Sequence, residues 1–379
     1  IMSKIKVNSL EGVGASTPAI SIDNSSGTCT ANITNNLSNR NIIINGAMQI
    51  NQRGNLTGQT SSVYSLDRFR VSMGTAGTWS LSQSTDTPDG FGSSMKLDCT
   101  TANGSLSAGS YMILQQKIEG QNVQAFAKGT SAAKQFAVSF YIKSNVSGTY
   151  VAEIQDNDND RIASKTFTVS NGNWNRYSLI FPADTTGTLD NDNAISLSLN
   201  FWLVAGTTYS SGTLNTSTWA AKVHGNRAAG IVNFASSTSN ELYITGVQLE
   251  VGSVNTEYEM KSIGQELTSC QRYYQRIATG TGQALSENAT MYNSDSIFFS
   301  IPLQTTMRIA PTLDVANGSN YFVKYENNGA IYFNTLGRDG VTTPSVLCLN
   351  QSPVSGGGGN ACMIRTDDAN TYVAAVAEL

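Results

Sequence analysis

The most obvious shortage in this sequence is charge. Charged residues make up 13% of the chain, about half of the roughly 25% that soluble domains usually carry. The formal net charge is −4, and lysine and arginine form no run. Proteins that bind nucleic acid without sequence preference need many cations to neutralise phosphates, so we expect no nucleic-acid partner.

Histidine and paired cysteines are also lacking. A Ser-His-Asp triad would have to use the single histidine, His224, and no G-x-S-x-G turn is present to expose a serine. The five cysteines are odd in number, widely spaced and without a Cys-x-x-Cys pair, which argues against a disulfide framework and a zinc site. Cys348 and Cys362, which flank a glycine-rich loop, are left as a candidate pair. We predict no enzyme, no metal and no cofactor.

Long apolar runs are absent. No stretch approaches the roughly 20 apolar residues that cross a bilayer, and the first residues lack the apolar core of a signal peptide. We therefore expect that the chain does not insert into a membrane. We also expect that it is synthesised in a cytoplasm.

The clearest positive signal is a two-residue period of apolar side chains. Phe136, Val138, Phe140 and Ile142 share one face of a strand. Similar strands are predicted at 78–83, 94–99, 109–117, 149–155, 162–169, 174–181, 194–204 and 242–251. Many short strands with almost no helix predict an all-β fold, a jelly-roll β-sandwich. The period slips at Gly246, which predicts a β-bulge.

One segment carries helix signals. Ser262 and Gln265 have the spacing of a capping box. The less polar residues that follow repeat as a heptad seam: Ile263, Leu267, Cys270, Tyr274 and Ile277. Because a helix this short is marginal alone in water, two alternatives stay open. The seam packs on its own β-domain, or copies from neighbouring subunits meet along it.

The patterns divide the chain into four parts. Residues 1–40 form an N-terminal arm that adds strands to another surface, and residues 41–260 form the jelly-roll sandwich. Residues 261–280 form a helical connector, and residues 281–379 form a smaller C-terminal β-domain.

Two groups of residues are candidate ligand sites. The acidic clusters at 156–160 and 190–193 lack the glycine and glutamate of an EF-hand loop, and the first is predicted to be a hairpin loop. Trp202, Asn200 and Tyr141 lie on the polar phase of their strands and form a candidate platform for a sugar ring. Tyr209 and Trp219 follow in a region of little periodicity. The alternative is that this loop, or another subunit, covers Trp202.

Two sets of motifs carry a family resemblance. NIIINGAMQINQRG at 41–54 is followed by SLDRFRV at 65–71, and GVQLEVG, EYE and SIGQELTSCQRYYQR follow between 246 and 276. In this order they resemble bacteriophage tail fibres and related virion appendage proteins. There, a jelly-roll domain similar to carbohydrate-binding modules passes from such a strand into a short helix.

The resemblance implies a structural, non-enzymatic subunit of a tail fibre or spike. It implies a homotrimer that is assembled in the host cytoplasm and located in the virion. It also implies that the N-terminal arm attaches to other tail or particle proteins and that the subunit adheres to host-surface glycan. Two alternatives stay open: a polysaccharide depolymerase with paired carboxylates, and a purely structural head or tail component.

Overall fold

The computed structural model describes residues 7–10, 20–23, 25–26, 29–31, 38–170, 172–327 and 329–379. Most of the arm predicted over residues 1–40 lies outside the described residues. Three short antiparallel strands are described there: β1 (Ser9–Leu10), β2 (Ile20–Ile22) and β3 (Cys29–Ala31). None of the helices in the described part of the chain has the length and apolarity needed to cross a membrane.

The first large domain is a sandwich of two antiparallel sheets. Its strands are β4 (Leu56–Gln59), β5 (Val63–Tyr64), β6 (Arg70–Gly74), β7 (Thr78–Ser84), β8 (Ser94–Thr101), β9 (Tyr111–Glu119), β10 (Phe136–Ser144), β11 (Gly148–Asp156), β12 (Arg161–Val169), β13 (Asn175–Phe181), β14 (Ile195–Ala205), β15 (Ala220–Ala221) and β16 (Glu241–Val251). Sheet A has the order β13-β10-β16-β8-β7-β4, and sheet B has the order β15-β12-β11-β14-β9-β6-β5. The predicted jelly-roll sandwich is confirmed.

The core of the sandwich is built by the alternating residues that the sequence indicates. Phe136, Val138 and Phe140 of sheet A are buried against Leu199 and Phe201 of sheet B. Each buried side chain of this size contributes about 1.5–3 kcal/mol relative to exposure. Because alternate residues point inward, the intervening side chains of β10 and β14 are presented on the two outer faces.

The predicted bulge is also present. Ser139 pairs with Gln248, but Tyr141 pairs with Thr245, so two residues of β16 stand opposite one residue of β10. Gly246 lies in this irregularity with a φ of +62°, a conformation that glycine adopts without steric cost.

The helix is shorter than predicted. Helix α2 spans Ile263–Gln271, and the capping box of Ser262 and Gln265 is formed. The chain then enters strand β17 (Tyr274–Thr279). Between β14 and β16 lie a single-turn helix, α1 (Thr207–Ser210), and a 3₁₀ turn at His224–Asn226. Two further 3₁₀ turns follow β9, at Gly120–Asn122 and Gln124–Phe126. The prediction of a helical connector over 261–280 is therefore wrong after Gln271, where the chain leaves the helix and forms β17.

The continuous helical seam is wrong as well. Ile263 is 65% exposed, whereas Cys270 and Tyr274 are buried within the same chain. Leu267 is half-buried on the helix, and Ile277 is half-buried on strand β17. Pairing of β17 with a strand near the end of the chain takes Tyr274 and Ile277 out of the helical register.

The C-terminal domain contains two antiparallel sheets. Its strands after β17 are β18 (Ala284–Met291), β19 (Ile297–Pro302), β20 (Thr312–Val315), β21 (Phe322–Glu326), β22 (Gly329–Phe333), β23 (Leu336–Thr342), β24 (Ser345–Asn350), β25 (Ala361–Thr366) and β26 (Tyr372–Val376). Sheet C has the order β17-β26-β20, and sheet D has the order β22-β21-β25-β18-β19-β24-β23. Cys348 and Cys362, the candidate pair, are free thiols.

Ion pairs join the two domains. The carboxylate of Glu378 in the C-terminal part accepts hydrogen bonds from Arg53 and from the fully buried Arg68 of the sandwich. Arg272, just after α2, donates from Nε and Nη2 to Glu119 at 2.9 and 2.8 Å. These contacts place α2 and β17 against the sandwich.

Candidate functional site

The platform predicted around Trp202 lies on the outer face of sheet B beneath a covering segment. We call residues 206–240, which link β14 to β16, the crossover segment. The ring of Tyr209 in this segment lies 5.4 Å from the ring of Trp202, and the guanidinium of Arg227 lies 4.8 Å from it. Trp202 is fully buried. Of the two alternatives, the structure therefore shows coverage of Trp202 by the loop of its own chain.

A buried ion pair holds the crossover segment in place. Arg227 donates from Nε to Glu153 Oε2 at 2.9 Å and from Nη2 to Glu153 Oε1 at 2.5 Å. Asn200 Nδ2 donates to the same carboxylate at 2.8 Å. Removing one partner of a buried pair costs about 3–5 kcal/mol. Ligand contact by Trp202, Asn200 and Tyr209 stays a prediction, and it requires the segment to move.

The other two predicted residues lie elsewhere. Trp219 is buried at the edge of the main core, with its ring 5.5 Å from Phe136 and its Nε1 donating to Pro182 O at 2.7 Å. Tyr141 is half-buried on the outer face of sheet A. Tyr141 and Trp202 therefore lie on opposite sides of the sandwich and do not form one platform.

The surroundings of Tyr141 form a partly exposed group of aromatic and charged side chains. We call this group the aromatic face and define it by these residues: Phe91, Lys96, Tyr141, Lys143, Trp174 and Tyr243, with the carboxylates of Asp86 and Glu241. A row of three residues, Lys143, Tyr243 and Lys96, crosses β10, β16 and β8 in register. The two ammonium groups lie 5.4 and 5.6 Å from the centre of the Tyr243 ring, within the range of cation–π attraction.

Two carboxylates fix the charged groups of the aromatic face. Asp86 accepts hydrogen bonds from Lys143 Nζ at 2.5 Å and from Trp174 Nε1 at 3.0 Å. Glu241 accepts hydrogen bonds from Lys96 Nζ at 2.9 Å and from the Tyr243 hydroxyl at 2.8 Å. The lysine hydrogen bonds hold the pKa values of both carboxyl groups below their ordinary values. Both stay ionised at neutral pH.

The bulge positions the aromatic rings. A Cβ at Gly246 would lie 2.8 Å from Phe91 Cζ and 2.9 Å from Tyr141 Cδ2. The missing side chain therefore lets both rings lie against the backbone of β16. Their ring centres are 5.2 Å apart, and the ring of Tyr258 lies 5.1 Å from that of Phe91.

Sequence reasoning identified one member of this group, Tyr141, and missed the others. Trp174 is the first residue of the strand predicted at 174–181. Tyr243 and Lys143 alternate with the buried Leu242 and Ile142, which is the signal that could have placed them outside. The register that brings them together is not readable from either strand alone.

The acidic cluster at 156–160 has a different role. Residues 157–160 connect β11 to β12 as the predicted hairpin loop. The buried Asp156 Oδ2 accepts a hydrogen bond from Lys128 Nζ at 2.5 Å, and Asp184 Oδ2 lies 3.1 Å from the same ammonium. The carbonyl oxygens of Thr186 and Gly187 each accept from it at 2.9 Å. The oxygens that converge here surround an internal cation.

Comparison with known proteins yields structural matches alone. No family model and no curated protein matches the chain. A CBM4 structure has 11% identity and a TM-score of 0.29 over 55% of this chain and 97% of its own. A family 11 carbohydrate-binding module from Clostridium thermocellum, in complex with a β-1,3-1,4-mixed-linked tetrasaccharide, has 13% identity and a TM-score of 0.27 over 52% of this chain and 97% of its own.

The tandem CBM22-1–CBM22-2 domain of Paenibacillus barcinonensis Xyn10C has 8% identity and a TM-score of 0.27 over 92% of this chain and 99% of its own. Likenesses this distant say nothing about a ligand, a partner or an activity. We therefore infer function from the jelly-roll sandwich of this chain and its aromatic face.

Proposed function

We propose that this chain is a subunit of a bacteriophage tail fibre or spike and that it adheres to host-surface glycan through the aromatic face. The observation that carries the adhesion is the aromatic face itself. Tyr141, Trp174 and Tyr243 are half-buried rings beside fixed charges on the outside of a rigid sheet. A pyranose offers an apolar C–H face to such rings and hydroxyl groups to the charged atoms.

The geometry favours binding because the polar groups are already ordered. Asp86 and Glu241 are each oriented by a lysine and by a ring donor. Groups that are fixed before a ligand arrives lose less conformational entropy on binding. Hydrogen bonds to charged groups are also stronger than those between neutral groups.

The carboxyl groups of the aromatic face and of the acidic cluster give no support to a depolymerase. Glycoside hydrolysis uses one carboxyl group with a raised pKa as the general acid. Asp86 and Glu241 have lowered pKa values because lysines donate hydrogen bonds to them. Asp156, the buried member of the acidic cluster, is bonded to Lys128.

The appendage role is supported by the way the two motifs pack. The backbone amide of Asn45 in the first motif donates to Glu266 Oε2 in the second at 2.5 Å. Gln52 Nε2 donates to the Tyr274 carbonyl at 2.9 Å, and the guanidinium of Arg68 lies 3.5 Å from the neighbouring tyrosine ring, Tyr273. The two sets of motifs that resemble tail-fibre proteins therefore contact each other in the folded chain.

The homotrimer, the attachment of the arm to other virion proteins and the location in the virion belong to the same proposal. Because Cys270 and Tyr274 are buried within their own chain, a trimer needs a contact other than the complete five-residue seam. Three copies would add weak glycan contacts through effective concentration. Native mass measurement across a concentration series is expected to give three times the chain mass, and a monomer at every concentration would contradict the trimer.

Adhesion is tested with variants of the aromatic face. Tyr243→Ala and Trp174→Ala are each expected to weaken binding to the glycan selected on a host-glycan array by about tenfold or more, since 1.4 kcal/mol corresponds to a factor of ten. Tyr292→Ala is the matched control, because Tyr292 is a 75% exposed tyrosine of the C-terminal domain. Silence of the wild-type chain on the array and on host cells would favour a purely structural component.

A further inference from the structure

The C-terminal domain has its own groove, which lies on the outer face of sheet D. The groove has a volume of about 570 Å³ and is lined by residues of β18, β21, β22 and β25 and by Asn327, which follows β21. This volume lies within the range of about 300–1,000 Å³ of small-molecule sites. It is separate from the aromatic face, which belongs to sheet A of the other domain.

The floor of the groove is an in-register row across three strands. Tyr325 of β21 pairs with Met363 of β25 on one side and with Ala330 of β22 on the other. Tyr325 is 39% exposed and Met363 is 40% exposed. Tyr332, two residues beyond Ala330 on the same face of β22, is 48% exposed. A tyrosine ring beside two small or flexible residues gives a flat apolar surface with room above it.

The wall of the groove is polar and carries no cation. Glu287 and Asn327 line the groove and are both exposed. The pairing of β18 with β25 shifts between Ser286 and Ala289, and this irregularity contains Glu287. The described residues that line the groove include two glutamates and neither lysine nor arginine. Glu326 is ion-paired with the buried Lys324, so the charge that the groove presents is the exposed carboxylate of Glu287. The charge therefore disfavours phosphate, sulfate and uronate groups and suits an uncharged ligand rich in hydroxyl groups.

The base of the groove is rigid. Glu326, which also lines the groove, bonds the buried Lys324 and accepts from Asn360 and from the Gly357 amide. Lys324 also donates to the Ser355 carbonyl at 2.6 Å. These bonds fasten the glycine-rich loop around residues 355–360 to β21. A floor that is fixed in advance lowers the entropy cost of binding.

We propose that this groove is a second binding site for an uncharged saccharide. The ring of Tyr325, with Met363 beside it, takes the C–H face of one sugar residue. Glu287 and Asn327 take its hydroxyl groups. The site does not depend on the aromatic face, whose two lysines give that face a different charge.

The test uses the full chain and isothermal titration with neutral hexose tetrasaccharides and their uronate-containing counterparts. The background variant is Tyr243→Ala with Trp174→Ala, which removes the aromatic face. A neutral tetrasaccharide is expected to bind this background, and uronate is expected to bind at least tenfold more weakly. Adding Tyr325→Ala should weaken neutral binding about tenfold or more, and adding Tyr292→Ala should leave it unchanged.

A second variant, Ala330→Arg, keeps Tyr325 and fills the groove from an exposed strand position, so it separates a blocked site from a damaged fold. It should abolish binding while the circular dichroism spectrum stays that of the background. The proposal is overturned if no neutral tetrasaccharide binds the background, or if neither Tyr325→Ala nor Ala330→Arg alters its affinity. A change in native mass caused by Tyr325→Ala without any saccharide would also overturn it, because the groove would then be a contact between copies.

The outcomes distinguish this proposal from adhesion through the aromatic face. Loss of wild-type binding with Tyr325→Ala but not with Tyr243→Ala supports the groove and contradicts the aromatic face. The reverse result contradicts the groove alone.

Discussion

The buried ammonium of Lys128 holds together loops from distant parts of the chain. It donates to Asp156 at the end of β11 and to the carbonyls of Thr186 and Gly187, with Asp184 alongside. The ring of Trp219 lies 5.1 Å from the same group. The sequence predicts the hairpin loop that follows Asp156. It does not predict that Lys128 bonds Asp156, because Lys128 comes 28 residues earlier. Only the folded sheets bring the two together.

Removing this cation should destabilise the sandwich strongly. Lys128→Met leaves the carboxylates of Asp156 and Asp184 buried without their shared partner, and the free energy of unfolding in urea should fall by about 3–5 kcal/mol. The matched control is Lys222→Met. Lys222 pairs with Asp160, whose side chain is 68% exposed, so the control should lose less than about 1 kcal/mol. Equal losses in both variants would contradict the role assigned to Lys128.

At the scale of secondary-structure elements, features set by the local sequence are predictable, whereas features set by strand pairing are not. The alternation of β10 and β14 and the capping box at Ser262 are local, and both appear as predicted. The end of helix α2 is not local, because β17 pairs with β26, about a hundred residues later. Arg338-Asp339-Gly340 has the composition of a turn, yet it lies inside β23, where a register shift absorbs it. Neighbouring strands decide such cases.

The glycine of the bulge connects this scale to the proposed function. Gly246→Ala would place a Cβ within 3 Å of Phe91 and Tyr141 at a φ of +62°. We expect a loss of about 1–3 kcal/mol in unfolding free energy and weaker glycan binding, since both rings must shift. Gly92→Ala is the control, because it has open space around it and no positive φ. Unchanged stability and affinity in Gly246→Ala would contradict the bulge as the support of the aromatic face.

At the scale of the whole molecule, the sequence predicts two β-domains joined by a short helix that needs another surface to pack against. In the structure α2 finds its partner in its own chain. Glu266 and Cys270 of α2 are buried, and Arg53 and Arg68 fasten the far end of the C-terminal part through Glu378. A charge cluster formed by residues about 310 positions apart has no signature in sequence. The sandwich therefore follows from the pattern, whereas the joining of the domains does not.

The same limit applies to the candidate site. The polar phase of β10 indicates Tyr141 as an outward residue, and the polar phase of β14 indicates Trp202. The first prediction leads to the aromatic face. The second leads to a face that the crossover segment covers, because no periodicity shows where a long loop returns. Outward direction on a strand is therefore predictable, whereas exposure depends on the rest of the chain.

The most direct test of glycan binding at the aromatic face is the fluorescence of Trp174. Trp79 and Trp202 are fully buried and Trp219 is 7% exposed, whereas Trp174 is half-buried beside Tyr243, with ring centres 6.4 Å apart. Titration with the array-selected glycan should shift the emission of the wild-type chain. The shift should vanish in Trp174→Phe, which keeps an aromatic ring for stacking. An equal shift in Trp174→Phe, or no shift in the wild-type chain at saturating glycan, would contradict the account.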